Sequence, residues 1–193
     1  SMRSATAGVG YTFLQHVTRT ARGRAIVVPS LLMILFFAGL VAFRDGIDLG
    51  FASVRDGFAV AVFGVAIAFL TPVQLWMNQF AIDKAGLTML CLQPLSSAAI
   101  LRGKAAGAAV LIAGLAALPC LAGLALGTPL HPAYWAVLGL GAVAGFLFLA
   151  PLAALLSIIF PKHVDLTSIG QRSNAHPLSS LIGGLLTFAA IAP

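Results

Sequence analysis

Four stretches of this sequence, residues 25–43, 57–77, 105–127 and 133–160, contain no charged side chain and no histidine. A helix needs about 20 residues, at about 1.5 Å each, to cross the hydrocarbon core of a bilayer. In lipid, the backbone polar groups have to be satisfied within the protein, which leaves helices as the spanning structure for runs of this length. The sequence therefore predicts an all-α, polytopic transmembrane helix bundle with four complete spans.

The composition supports a membrane protein with a single transmembrane domain over residues 1–193. Hydrophobic residues make up 60% of the chain, charged residues only 8%, and the mean hydropathy is +1.04. Soluble domains carry roughly 25% charged residues. The net charge of +6 does not indicate nucleic-acid binding, because the basic residues lie at the ends of apolar runs and not on one clustered face. Cys91 and Cys120 lack the spacing of a metal site and are expected to be free thiols.

Three further segments complete the layout. Residues 1–24 are predicted to form an amphipathic arm at the membrane surface, with Tyr11, Phe13, Leu14 and Val17 on its apolar side. Residues 161–180 form a second polar interval, in which solvation or lipid-headgroup contact is a better interpretation than a metal site. The apolar run 181–193 is too short to cross, so we expect a partial fifth span, with a re-entrant segment as the alternative.

The distribution of lysine and arginine predicts the orientation. The N-terminal arm carries four of the eleven, the 78–104 interval three and the 161–180 interval two. Cytoplasmic loops carry an excess of these residues. The N-terminus and both intervals are therefore predicted to lie in the cytoplasm.

The predicted spans lack the groups that most membrane chemistry needs. Without ionisable side chains at depth, an ion-coupled carrier or a membrane enzyme is disfavoured.

Pro72 is expected to bend the second span, and a kink at Pro151 is one way for the long fourth span to fit the membrane. Small residues spaced four apart are candidates for close helix contacts. These pairs are Gly103 with Gly107, Gly123 with Gly127, and Gly141 with Gly145.

The 78–104 interval is the longest polar-punctuated segment between two spans. Asp83 is predicted to cap a short helix that ends at Pro94, and Ser96 or Ser97 to cap the next helix, which leads into the third span. This helix–break–helix form is suited to docking a cytoplasmic partner. A solvated connection between two spans is the alternative.

Positions throughout this interval match a known family of membrane proteins. They are Asn78, Phe80, Asp83, Gly86, Leu87, Leu90, Pro94, Leu95, Ser96, Ile100, Leu101, Gly103 and Lys104. At these positions the interval resembles the transmembrane permeases of type-2 ATP-binding-cassette (ABC) exporters. The resemblance covers nearly the whole chain in layout but is specific over only about 30 residues, and that family typically has six spans per half where four and a fraction are predicted here.

The resemblance implies a bacterial inner-membrane subunit that exports a substrate by using a separate ABC ATPase. In that family the loop between the second and third spans carries a coupling helix, which seats in a cleft of the ATPase. Leu87, Leu90 and Leu92 would fill the cleft, and Lys84, Arg102 and Lys104 would make electrostatic contacts. The full set of expected ATPase contacts is Asp83, Lys84, Gly86, Leu87, Leu90, Pro94, Ser96, Arg102 and Lys104.

The expected partners are the ATPase, a second permease half in a homodimer, and membrane lipids. No phosphate-binding loop is present in the sequence, so ATP would be bound by the partner, and no cofactor, metal or enzymatic activity is expected of this chain. The alternative function is a non-transport scaffold or assembly subunit whose 78–104 loop docks another cytoplasmic protein.

Overall fold

The computed structural model describes residues 2–44, 47–48, 53–54, 56–80, 92, 95–127, 131–160 and 177–191. The helices in these ranges are α1 (Met2–Arg19), α2 (Ala21–Arg44), α3 (Gly57–Leu70), α4 (Val73–Trp76), α5 (Ser97–Ala125), α6 (Pro132–Ile159) and α7 (Pro177–Ile191). A two-residue antiparallel pair, β1 (Ile47–Asp48) with β2 (Ser53–Val54), lies between α2 and α3.

The all-helical prediction is confirmed, and within the described residues three helices are long and apolar enough to cross a membrane. They are Gly23–Phe43, Ser97–Ala125 and Pro132–Ile159. The second predicted span differs, because its helix α3 has only 14 residues and ends at Leu70. Pro72 then separates α3 from the four-residue helix α4, so the helix is interrupted where the sequence predicted a bend. Helix α7, with 15 residues, is also shorter than a span.

Local sequence signals account for several helix ends. The Asp56 carboxylate accepts the Ala59 amide at 2.7 Å and caps α3. The Ser96 hydroxyl accepts the Ala99 amide at 3.2 Å and caps α5, which confirms the predicted cap. Pro132 occupies the first turn of α6, where its missing N–H costs nothing. After α5, Gly127 has a φ of +74°, the left-handed conformation that favours glycine.

Helix α5 begins where the predicted serine cap places it, at Ser97. It then continues without a break through residue 105, the predicted start of the third span. Arg102 and Lys104 therefore lie inside this long apolar helix and not in a preceding loop. Both basic residues precede the uncharged run that starts at residue 105, at the boundary of the span that the sequence predicted.

Helix α1 packs lengthwise against the first half of α5, and glycines allow the approach. A Cβ atom on Gly107 would lie 2.8 Å from the Gly10 carbonyl oxygen, and one on Gly103 would lie 2.8 Å from the Thr6 carbonyl oxygen. The buried side of α1 consists of Val9, Phe13 and Val17.

The predicted arm is thus a helix. Its apolar side was predicted wrongly at Tyr11, which is 63% exposed. One residue of helix turns the side chain by about 100°, so Tyr11 lies nearly opposite Val9 and Phe13.

The glycine pairs at 123/127 and 141/145 differ in how closely they approach a neighbouring helix. Gly123 of α5 lies against the Gly57 backbone of α3, and Gly64 of α3 lies against the Pro119 ring of α5. These contacts join the first part of α3 to the second half of α5. Gly141 has no atom near its missing Cβ, and Gly145 meets only the edge of Phe69 at 4.0 Å. Among the three pairs, the one in α6 makes no close helix contact within the described chain.

The hydrophobic core surrounds the break between α3 and α4. Trp76 is 2% exposed and Met77 is fully buried. The Trp76 ring meets Phe69 and Phe146 edge-on, with centroid distances of 6.4 and 5.6 Å. Gly183 of α7 lies directly against the Met77 side chain, where a Cβ would be 2.6 Å from Cγ. The short helix α4 is therefore enclosed by α6 and α7 as well as by α3.

A matched pair of glycine substitutions in α5 tests the α1–α5 contact. Gly107→Ala should lower the free energy of unfolding by about 1–3 kcal/mol, because the added methyl meets a backbone oxygen that cannot rotate away. Gly114→Ala should be neutral or stabilising by up to about 1 kcal/mol, because open space surrounds Gly114 and alanine favours the helix. Unfolding of both variants in detergent measures the difference, and equal stabilities would contradict the packing.

Candidate functional site at the base of the 78–104 loop

The segment between α4 and the loop is buried although its backbone is not helical. Asn78 is 1% exposed and Gln79 is 6% exposed, and both lie past the end of α4 at Trp76. At membrane depth, irregular backbone is tolerated only where the protein itself surrounds it and satisfies its polar groups. The hydrogen-bond partners of this segment therefore identify the side chains that hold the loop in place.

Lys104 of α5 supplies one of these partners. Its Nζ donates to the Gln79 carbonyl oxygen at 2.7 Å, and the side chain is only 2% exposed. The same nitrogen lies 5.2 Å from the centre of the Phe80 ring, within the range of a cation–π contact. Lys104 thus joins the end of the 78–104 interval to its beginning.

Ser157 of α6 supplies the second partner. Its fully buried hydroxyl accepts the Phe80 backbone amide at 3.0 Å. Residues 79 and 80 are consequently bound to two different long helices, α5 through Lys104 and α6 through Ser157. We call these four residues, Gln79, Phe80, Lys104 and Ser157, the loop base.

The loop base corrects one prediction about partner contacts. Lys104 was expected to be an electrostatic contact for an ATPase, but its amine is buried and bonded within the chain. Arg102, two residues earlier on α5, is exposed. The Leu92 side chain is 75% exposed. Ser96 is occupied as the cap of α5.

The other predicted contacts lie outside the described residues, and so does the metal interpretation weighed for residues 161–176. These contacts are Asp83, Lys84, Gly86, Leu87, Leu90 and Pro94. The predicted helix before Pro94 belongs to the same undescribed stretch, whereas the helix after it is confirmed as the start of α5.

Sequence reasoning did not identify Gln79 or Ser157. A signal for Ser157 was present, because it is the one serine in the apolar run 133–160. A hydroxyl in such a run usually bonds to backbone, but the sequence does not reveal which segment it reaches. Gln79 contributes its carbonyl oxygen, a group that every residue has, so its side chain carries no signal.

Comparison with protein-family models, with curated proteins and with solved structures found no match to this chain. Its function is therefore argued from its own residues.

Replacing Lys104 tests whether it holds the loop base. Lys104→Met keeps the length and apolar stem but leaves the Gln79 carbonyl oxygen without its lysine donor, so it should cost about 1–3 kcal/mol of the free energy of unfolding. Arg102→Met is the matched control and should have little effect on stability, because Arg102 is exposed. Unfolding in detergent compares the two. Equal effects would contradict a structural role specific to Lys104.

Proposed function

We propose that this chain is the membrane-spanning permease subunit of an ABC exporter, in a bacterial inner membrane. ATP is hydrolysed by a separate ATPase subunit that docks on the 78–104 loop. Two permease halves, in a homodimer, flank the path of the substrate. The proposal starts from the resemblance of residues 78–104 to type-2 exporter permeases and is supported by the way in which this loop joins the helices.

The single observation that carries the proposal is the loop base. A docking loop transmits movement only if its ends are attached firmly to the membrane helices. Here the loop leaves the bundle at Phe80, whose amide is bound to Ser157 of α6, and returns through α5, whose Lys104 binds Gln79. A displacement of the loop would therefore act on α5 and α6 together. A simple solvated connection would not need such attachments.

The packing of α1 supports the proposed orientation. The arginine-rich arm lies along the first half of α5, the part of that helix next to the loop. The arm and the loop base are thus at the same end of the bundle, as two segments on the cytoplasmic side would have to be. This agrees with the lysine and arginine distribution.

Helix α6 offers a surface for a second permease half. Val137, Leu140 and Leu147 are each at least 66% exposed along it. A fully apolar face of this kind meets either lipid or another membrane helix. The resemblance to ABC exporter permeases implies that a second copy of this chain packs against this face.

A double variant that removes two predicted contacts in the 78–104 loop tests whether an ATPase docks there. The double variant Lys84→Glu, Leu87→Ala should reduce co-purification of an ATPase about tenfold or more, because truncating an interface anchor costs about 2 kcal/mol or more. Substrate transport should fall in parallel. The control, Arg44→Glu with Leu32→Ala, makes the same two kinds of change in α2, away from the loop and from the exposed face of α6, and should leave ATPase binding intact.

The co-purified protein must carry a phosphate-binding loop and its signature sequence to support the proposal. If ATPase binding and transport both survive the double variant, the docking role is wrong. If a cytoplasmic protein without nucleotide-binding motifs is lost instead, the chain is a scaffold or assembly subunit.

Cysteine labelling tests the orientation separately. In a Cys91→Ser, Cys120→Ser background, Leu92→Cys should react with a membrane-impermeant maleimide only after the cells are permeabilised. Thr128→Cys, at a position between α5 and α6 in the sequence, should react in intact cells. The opposite labelling pattern would place the N-terminus and the loop outside.

A further inference from the structure

Two apolar grooves lie on either side of Arg102. The first, between α5 and α6, has a volume of about 420 Å³ and is walled by alanines, leucines and Pro151, with Trp76 and Gln79 at its inner side. The second, between α1 and α5, has a volume of about 540 Å³ and is walled by apolar residues such as Leu14, Ala106 and Val110, with Thr6 and Tyr11 also on its lining. Both volumes fall within the range of about 300–1,000 Å³ that is typical of small-molecule sites.

Arg102 lines both grooves because of its place on α5. Each residue turns a helix by about 100°, which directs Leu101 and Ala105 to one side and Ala106 and Val110 to the other. Arg102 stands on the ridge between these two sides. Its side chain is exposed, and no ion pair with it exists among the described residues.

The position of Arg102 along α5 is that of a headgroup contact. It follows the Ser96 cap by fewer than two turns, at the end of a helix that is long and apolar enough to cross a bilayer. Arginine near the end of a membrane helix extends its guanidinium to the level of the lipid phosphates. The guanidinium also matches the geometry of a phosphate group.

The Trp76 indole is a second polar group at the α5–α6 groove. The Trp76 indole nitrogen is buried and has no hydrogen-bond acceptor in the described part of the chain. Trp76 forms part of the wall of the α5–α6 groove. A buried N–H without an acceptor is costly, and a tryptophan at the interface normally finds a polar partner there. The ester region of a lipid provides such acceptors.

We propose that Arg102 and its two flanking grooves form a binding site for one anionic phospholipid. The phosphate lies on the Arg102 guanidinium, and the two acyl chains straddle α5, with one chain in each groove. Trp76 donates its indole N–H to the ester region of the chain in the α5–α6 groove. The site requires that the protein is inserted in a membrane, but it does not require an ATPase partner.

Charge is the reason to assign an anionic lipid to this site. Acyl chains fill any apolar groove in a bilayer, so the grooves alone would accept every phospholipid. The exposed guanidinium of Arg102 adds a preference for headgroups with net negative charge, and this preference weakens as salt screens it. The bound lipid would also fill the space between α5 and its two neighbours, so it should stabilise the bundle.

Native mass spectrometry of the full chain in detergent micelles tests the site. Phosphatidylglycerol should bind more tightly than phosphatidylcholine with the same acyl chains. Arg102→Gln should weaken phosphatidylglycerol binding about fivefold, the effect of one basic residue near the membrane surface, and should bring the two lipids close together. Arg102→Lys should retain part of the preference. Arg24→Gln, which removes an exposed arginine that lines neither groove, is the control and should change nothing.

Variants that fill the grooves distinguish the contribution of acyl-chain contacts to lipid binding from that of the Arg102 charge. Ala105→Phe fills the α5–α6 groove and Ala106→Phe fills the α1–α5 groove, and each should weaken binding of both lipids while Arg102 remains. Unfolding in phosphatidylcholine alone verifies that these variants fold.

Three results would overturn the proposal. They are equal affinity for the two lipids, unchanged binding in Arg102→Gln, or stabilisation by inorganic phosphate equal to that by the lipid. The last would make this a simple anion site. Because ATPase co-purification is measured separately, failure here leaves the proposed function standing, and the reverse also holds.

Discussion

The burial of a broken helix is the constraint on which the rest of this structure depends. After α3 ends at Leu70, the chain continues through a short helix and a non-helical segment that are almost completely enclosed. In lipid, enclosure of such a segment requires that other helices satisfy its backbone groups. Lys104 and Ser157 do this at Gln79 and Phe80. The long helices α5 and α6 are therefore positioned by polar contacts with the break as well as by apolar packing.

Helix α5 is the common partner in the bundle. It meets α1 and α3 along its two sides through glycines, and it supplies Lys104 to the loop base. Because lipid tails are as apolar as leucine, helices in a membrane gain little from hydrophobic burial and depend on close packing. Glycine positions 103, 107 and 123 provide that packing here. In contrast, Gly141 lies in the open, which shows that a four-residue spacing of glycines is insufficient without a facing helix.

Two basic residues close together on α5, Lys104 and Arg102, have opposite exposure and different roles. Lys104 is buried and serves the joint between the loop and the helices, whereas Arg102 is exposed between two apolar grooves. A lipid bound at Arg102 would lie next to α5 and α6, the helices that the loop base connects. Movement of the loop and the shape of the lipid site would then be mechanically related. This relation follows from their shared helix and needs no separate linkage.

The sequence by itself determined the all-α class and most of the helix positions, because long uncharged runs and local caps such as Asp56 and Ser96 act within a few residues. It also placed a bend at Pro72, since proline removes a backbone donor, although the structure has a full break there. The tertiary structure decided which lysine is buried, which glycines meet another helix, and which serine reaches the break. Lys104 bonds to a residue 25 positions away, and Ser157 to one 77 positions away. Such partners depend on how separate helices pack, and a pattern read along one helix holds no record of the helix that will face it.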